Sequence, residues 1–114
     1  MLVSRMSVPV ITRRFPRYKI DQPVSAVLYW DELPVRKVSG RCRVLGLGGL
    51  AASLFHQFYI GEIVRLELPP AVKAYASVRN VKGTVYGFEF ILLGEAERGA
   101  IKRLCDTCSD RRPN

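Results

Sequence analysis

The sequence predicts an all-β fold, a small antiparallel barrel of six strands with one C-terminal α-helix. Three observations carry that prediction. Apolar and polar residues alternate in short runs separated by closely spaced turn signals, the period-two signature of half-buried strands. After Gly94 the period lengthens to that of a helix. The 114 residues make one domain, large enough for a single core without metal or disulfide staples.

In the first strand, over 23–30, Val24, Ala26, Leu28 and Trp30 alternate with Ser25, Val27 and Tyr29. Asp31-Glu32-Leu33-Pro34 reads as a turn. A second strand over 35–43 carries Arg36, Lys37 and Arg41 among its apolar residues. A glycine-rich segment leads into a third strand over 50–54, and 55–62 reads as a surface loop. Val64, Leu66 and Leu68 alternate with Arg65 and Glu67 in a strand over 63–68, which Pro69-Pro70 stops. Segments 74–80 and 84–92 form a hairpin closed by Val81-Lys82-Gly83.

Ile101, Leu104, Cys105 and Cys108 then stand at i, i+3, i+4 and i+7, an apolar helical stripe. Glu95 and Glu97 fall in its first turn and Lys102 and Arg103 in its last, as the helix dipole prefers. The chain divides into a flexible leader over 1–12, a domain over 13–108 and a polar tail over 109–114.

Composition limits the function. Hydrophobic residues make up 48% and charged residues 25%, ordinary for a globular protein. No apolar run approaches the roughly 20 residues that span a bilayer, and the leader lacks a signal-peptide pattern. The chain is therefore expected in the cytoplasm. A net charge of +8 points to an anionic partner or surface.

The three cysteines do not form a secreted scaffold. Cys105 and Cys108 are two thiols at the end of a helix, and neither Cys42 nor His56 adds ligand-like spacing, so no metal site is read. The single histidine, His56, has no Ser, Cys or carboxylate at a diagnostic distance, and the glycine segment lacks the Lys-Ser/Thr of a phosphate loop. A non-enzyme without a cofactor is the expectation.

Two segments carry the candidate chemistry. Arg13-Arg14-Phe15-Pro16-Arg17 places three guanidiniums in a stretch that Pro16 keeps from being a regular helix. Guanidinium is planar, always charged and donates in a fork, which suits phosphate oxygens and the acceptor edge of guanine. The segment from Arg43 to Ala51 contains Gly46, Gly48 and Gly49 inside an apolar run, where glycine weakens a strand unless backbone must bulge or be closely approached.

Together these segments resemble the PilZ domain family, bacterial receptors for the second messenger cyclic di-GMP. The family pattern is RxxxR followed by (D/N)xSxxG on a strand. Arg13 and Arg17 match the first motif, with Arg14 at the position of a further arginine often found there. In the second motif Gly49 agrees, whereas Val44 stands where Asp or Asn is usual and Gly46 where Ser is usual. Val78-Arg79-Asn80, the run from Val85 to Phe90 and the terminal helix extend the likeness over about 12–105.

The resemblance implies a barrel with one helix and a cyclic di-GMP-binding receptor that acts by ligand-ordered loop closure and recognition of a protein partner. It implies a site of Arg13, Arg14, Arg17, Val44, Gly46, Gly48 and Gly49, with Arg13 and Arg17 unpinned before ligand arrives. The glycines would leave room for the ligand beside the strand. Valine offers no acceptor to guanine, at about 1–3 kcal/mol for each donor left unmet.

Two other readings stand beside this one. A PilZ-like adaptor could bind a protein without the nucleotide, which Val44 and Gly46 favour and the arginines oppose. A basic barrel could instead bind single-stranded nucleic acid, given exposed aromatics such as Tyr29, Tyr75 and Tyr86 on one face.

Overall fold

The computed structural model describes residues 16–108. Its elements are β1 (Arg17–Trp30), β2 (Leu33–Gly46), β3 (Gly49–Leu54), β4 (Ile63–Leu68), β5 (Val72–Lys82), β6 (Val85–Ile91) and α1 (Glu95–Cys108). The strands close into an antiparallel barrel in the order β1-β2-β3-β6-β5-β4. The six strands and terminal helix are those the alternation predicts.

The first hairpin is longer than predicted. β1 begins at Arg17, so this arginine lies in the strand rather than in a loop, half-buried and opposite Gly46 in the ladder. Only Asp31 and Glu32 make the turn; Leu33 and Pro34 already belong to β2. β5 likewise runs to Lys82, so Val81 and Lys82 are strand residues.

Inward-facing positions supply one core. Val24 and Ala26 of β1, Cys42 and Leu45 of β2, and Leu66 of β4 are almost wholly buried. The loop over 55–62 is more than a surface connection. Phe58 is buried, edge-on to Tyr86 and Phe88 with ring centroids 4.9 and 5.8 Å apart. The Tyr86 hydroxyl donates to the His56 carbonyl at 2.8 Å and accepts from the Phe58 amide at 3.4 Å.

α1 lies against β5, β1 and β2, burying Ala100, Ile101, Leu104 and Cys105. Its start is fixed by Glu97, whose carboxylate accepts the Gly94 amide at 2.9 Å, one half of a capping box. Glu95 and Glu97 occupy the first turn as predicted, but no basic residue lies in the last. The apolar stripe continues to Cys108, so the helix extends a further turn past Lys102 and Arg103.

Candidate functional site

Ladder register joins the described end of the arginine motif, Arg17, to the glycine segment. Arg17 pairs with Gly46 and Lys19 with Val44 across β1 and β2, and Val44 pairs with Ala51 on β3. Between Cys42 and Val44 the β2–β3 register shifts. Cys42 and Leu45 both face the core, and the shift leaves Arg43 exposed and Val44 half-buried between them. Val44 therefore belongs to the outer wall of the barrel, beside the side chains of β1.

That wall is cationic. Arg17, Lys19, Arg41 and Arg43 all project from the β1–β2 pair. One carboxylate, Asp21, answers two of them. The Arg41 Nε donates to Asp21 Oδ1 at 2.9 Å and its Nη2 to the Asp21 carbonyl at 3.1 Å, while Arg43 Nη1 lies 3.6 Å from the same Oδ1. The Arg41 hydrogen bond, helped by the charges of Arg41 and Arg43, holds the Asp21 carboxyl below its usual value. All three side chains are exposed, so an incoming anion can displace Asp21 at little cost.

The glycines have a different use from the one the sequence suggests. A Cβ on Gly46 would stand 2.6 Å from the Pro16 carbonyl oxygen and 3.5 Å from the Arg17 Cα. The room is filled by the chain itself, and the absent side chain lets the start of β1 cross closely enough to seat Arg17. At Gly49 a Cβ would collide with the Phe88 carbonyl oxygen on β6, so that glycine serves the strand pairing. Gly48 is exposed, and its carbonyl accepts the Phe90 amide at 3.0 Å. Arg13 and Arg14 lie outside the described residues.

Lys19, Arg41, Arg43 and Asp21 were not among the predicted site residues. The alternation of Arg17 with Lys19 and of Arg41 with Arg43 was visible, since residues two apart share a strand face. What joined them was the register and its shift, which alternation does not encode.

The other candidates fall elsewhere. Tyr86 is buried in the core while Tyr29 and Tyr75 lie on the outer wall, so the three tyrosines share no exposed face for bases to stack on. Burial pushes the Cys42 thiol up to about 12 and the Cys105 thiol up to about 11, which leaves both protonated and unreactive at neutral pH. Among the described residues, no group of three or more His, Cys, Asp or Glu could hold a metal, and no helix is long and apolar enough to cross a membrane.

Comparison with known proteins agrees with this geometry. Solved structures share the fold, among them three that follow. The PilZ domain of YcgR from Escherichia coli, solved with c-di-GMP, aligns at TM-score 0.64 and 16% identity over 81% of this chain and 87% of its own. The PilZ domain of CeSA from a cellulose-synthesizing bacterium aligns at 0.59 and 17% identity, over 77% and 92%. Bacillus subtilis inhibitor of motility, MotI/DgrA, aligns at 0.67 and 17% identity over 97% of this chain, which spans 59% of that protein. No curated protein matches the chain. The PilZ domain model matches residues 11–107, so the chain belongs to the PilZ domain family.

Proposed function

We propose that the outer wall of β1 and β2 receives cyclic di-GMP and that the chain is a non-catalytic receptor of this second messenger, working in the cytoplasm. The observation that carries this reading is the seating of Arg17 opposite Gly46, in one row with Lys19 and beside the Asp21-linked Arg41 and Arg43. The ligand has two phosphates and two guanines, and four cations on one face match that chemistry. Arg13 and Arg14 stand a few residues upstream of Arg17 and supply two further guanidiniums. Family membership supports the ligand class, as does the c-di-GMP held by the YcgR domain of similar fold. The bound state then presents a surface to a protein partner.

Calorimetric titration of cyclic di-GMP tests the reading. Arg17→Ala removes a charge-assisted contact and weakens binding at least about tenfold. An isotherm unmoved by that substitution would take the arginine motif out of the site.

A second reading is favoured by Val44. Its side chain lies on the same wall and accepts no hydrogen bond, so the wall lacks the acceptor the family uses for guanine. In that case the chain is an adaptor that binds a protein without the nucleotide. A folded wild-type protein that produces no heat with millimolar ligand would select this reading.

A further inference from the structure

β1 closes the barrel against β4 only over Ser25–Val27, and β2 meets β3 only from Gly40 onward. Past those points the two strands continue as a two-stranded arm. Residues 33–37 of β2 are exposed without a break, while on the opposite face Tyr29 stays beside Tyr75 and Arg65 of the barrel. Yet the apolar pattern does not stop at the rim. The inward-facing series Val24, Ala26 and Leu28 runs on to Trp30, which pairs with Leu33 across the arm. Trp30 is 76% exposed, Leu33 65% and Val35 59%. The sheet face that buries Val24 and Ala26 in the barrel leaves its apolar side bare here.

The arm's charges are also ordered. At its tip, Asp31 and Glu32 have φ of 53° and 69°, a pair of left-handed residues closing a two-residue hairpin turn. Asp, like Asn or Gly, suits the first position of such a turn and Gly the second, so Glu32 in its left-handed conformation stores strain of about 1–3 kcal/mol. At its base, on the face of Leu28 and Trp30, stands exposed Arg36, opposite Leu28. Asp31, Glu32 and Arg36 form no ion pair among the described residues, while the neighbouring Lys37 is held by Glu67 at 3.1 Å.

We infer that the arm is the contact of a symmetric dimer, in which two copies of this chain lay their Trp30–Leu33 faces together antiparallel. A two-fold axis near Leu33 and Val35 sets the acidic tip of one arm over Arg36 of the other, and the reverse. The surface is thus complementary to itself in charge, as an isologous contact requires. Pro34 removes a backbone donor from β2 within the arm and so works against edge-to-edge strand pairing. The contact therefore runs through side chains. Each arm offers fewer residues than the roughly 20–30 per side of a standard interface, so the dimer is weak, dissociating in the micromolar to millimolar range.

Sedimentation of the full chain without nucleotide, over that concentration range, tests the inference apart from any ligand reading. The wild type should show a monomer–dimer equilibrium. Trp30→Ala with Leu33→Ala should weaken it about a hundredfold or more while leaving the melting temperature unchanged, since both side chains are exposed. Glu32→Arg and Arg36→Glu should each weaken it roughly tenfold or more through like-charge contact. The two together should restore it. A monomer throughout the range, a dimer indifferent to Trp30 and Leu33, or a double reversal that fails to recover would each overturn the inference.

Discussion

At the scale of single residues, Val44 and Gly46 depart from the family's second motif, and the structure separates their consequences. Val44 is on the outer wall opposite Lys19, so an aspartate there is solvated and faces a cation. Val44→Asp should keep the melting temperature within a few degrees and strengthen cyclic di-GMP binding by about one to two decades, as an acceptor meets a guanine donor. Calorimetry and melting on the same variant check both parts. Gly46→Ser has the opposite expectation. Its Cβ would press on the Pro16 carbonyl at 2.6 Å, backbone that cannot swing aside, so Ser lowers stability and moves Arg17 with it.

Asp21 gives a pH prediction with a definite sign. Because its folded-state carboxyl lies below the ordinary value of 3.8, its contribution is complete above that value and is lost as pH falls through the folded one. Carboxyl chemical shifts followed by NMR should show Asp21 titrating below a free aspartate, and Arg41→Gln should return it toward 3.8. An Asp21 that titrates normally in the wild type would mean the Arg41 contact is not held in solution.

Among the elements, the strands were legible wherever one face met the core. Val64, Leu66 and Leu68 announced β4 to the residue, because alternation and burial coincide there. The ends of β1 and β2 were not legible. Tyr18 and Ile20, which pack against the core, alternate with Arg17, Lys19 and Asp21 for too few residues to stand out, and Pro34 reads as a turn although it pairs with Tyr29. The loop over 55–62 hid its role for a related reason. Phe58 is one apolar residue among several, and only the fold separates it from exposed Phe55, Tyr59 and Ile60.

That loop supports a measurement. Tyr86→Phe removes a hydroxyl that donates to His56 and accepts from the Phe58 amide, leaving a buried donor unmet. The cost should be about 1–3 kcal/mol in a denaturant titration, with no change in ligand affinity because Tyr86 faces the core. A loss below a few tenths of a kcal/mol would mean that the loop is not fastened through this hydroxyl.

For the whole molecule, closure of the barrel and the +8 charge decide the behaviour. Closure was an inference from strand number and turn spacing, and it holds; which strands meet could not be read, since β1–β4 pairing rests on only three residue pairs. Charge was legible from composition, but its placement on the β1–β2 wall was not. The charge makes a prediction about salt in which two effects oppose. Native ion pairs such as Arg79–Glu89, at 3.3 Å with both side chains more than half exposed, lose strength when screened, yet exposed pairs contribute at most about 1 kcal/mol each. Self-repulsion among excess cations acts over the entire surface and is screened as well, at a Debye length of about 10 Å in 0.1 M salt. With +8 on 114 residues the second effect is the larger. Raising sodium chloride from low to physiological strength should therefore raise the melting temperature, while the same change weakens cyclic di-GMP binding by screening Arg17, Lys19, Arg41 and Arg43. Fluorimetry and calorimetry across one salt series should show the two trends with opposite signs. A melting temperature that falls with salt would show that paired charges, not the excess, govern the fold. Affinity indifferent to salt would remove the cationic wall from ligand binding.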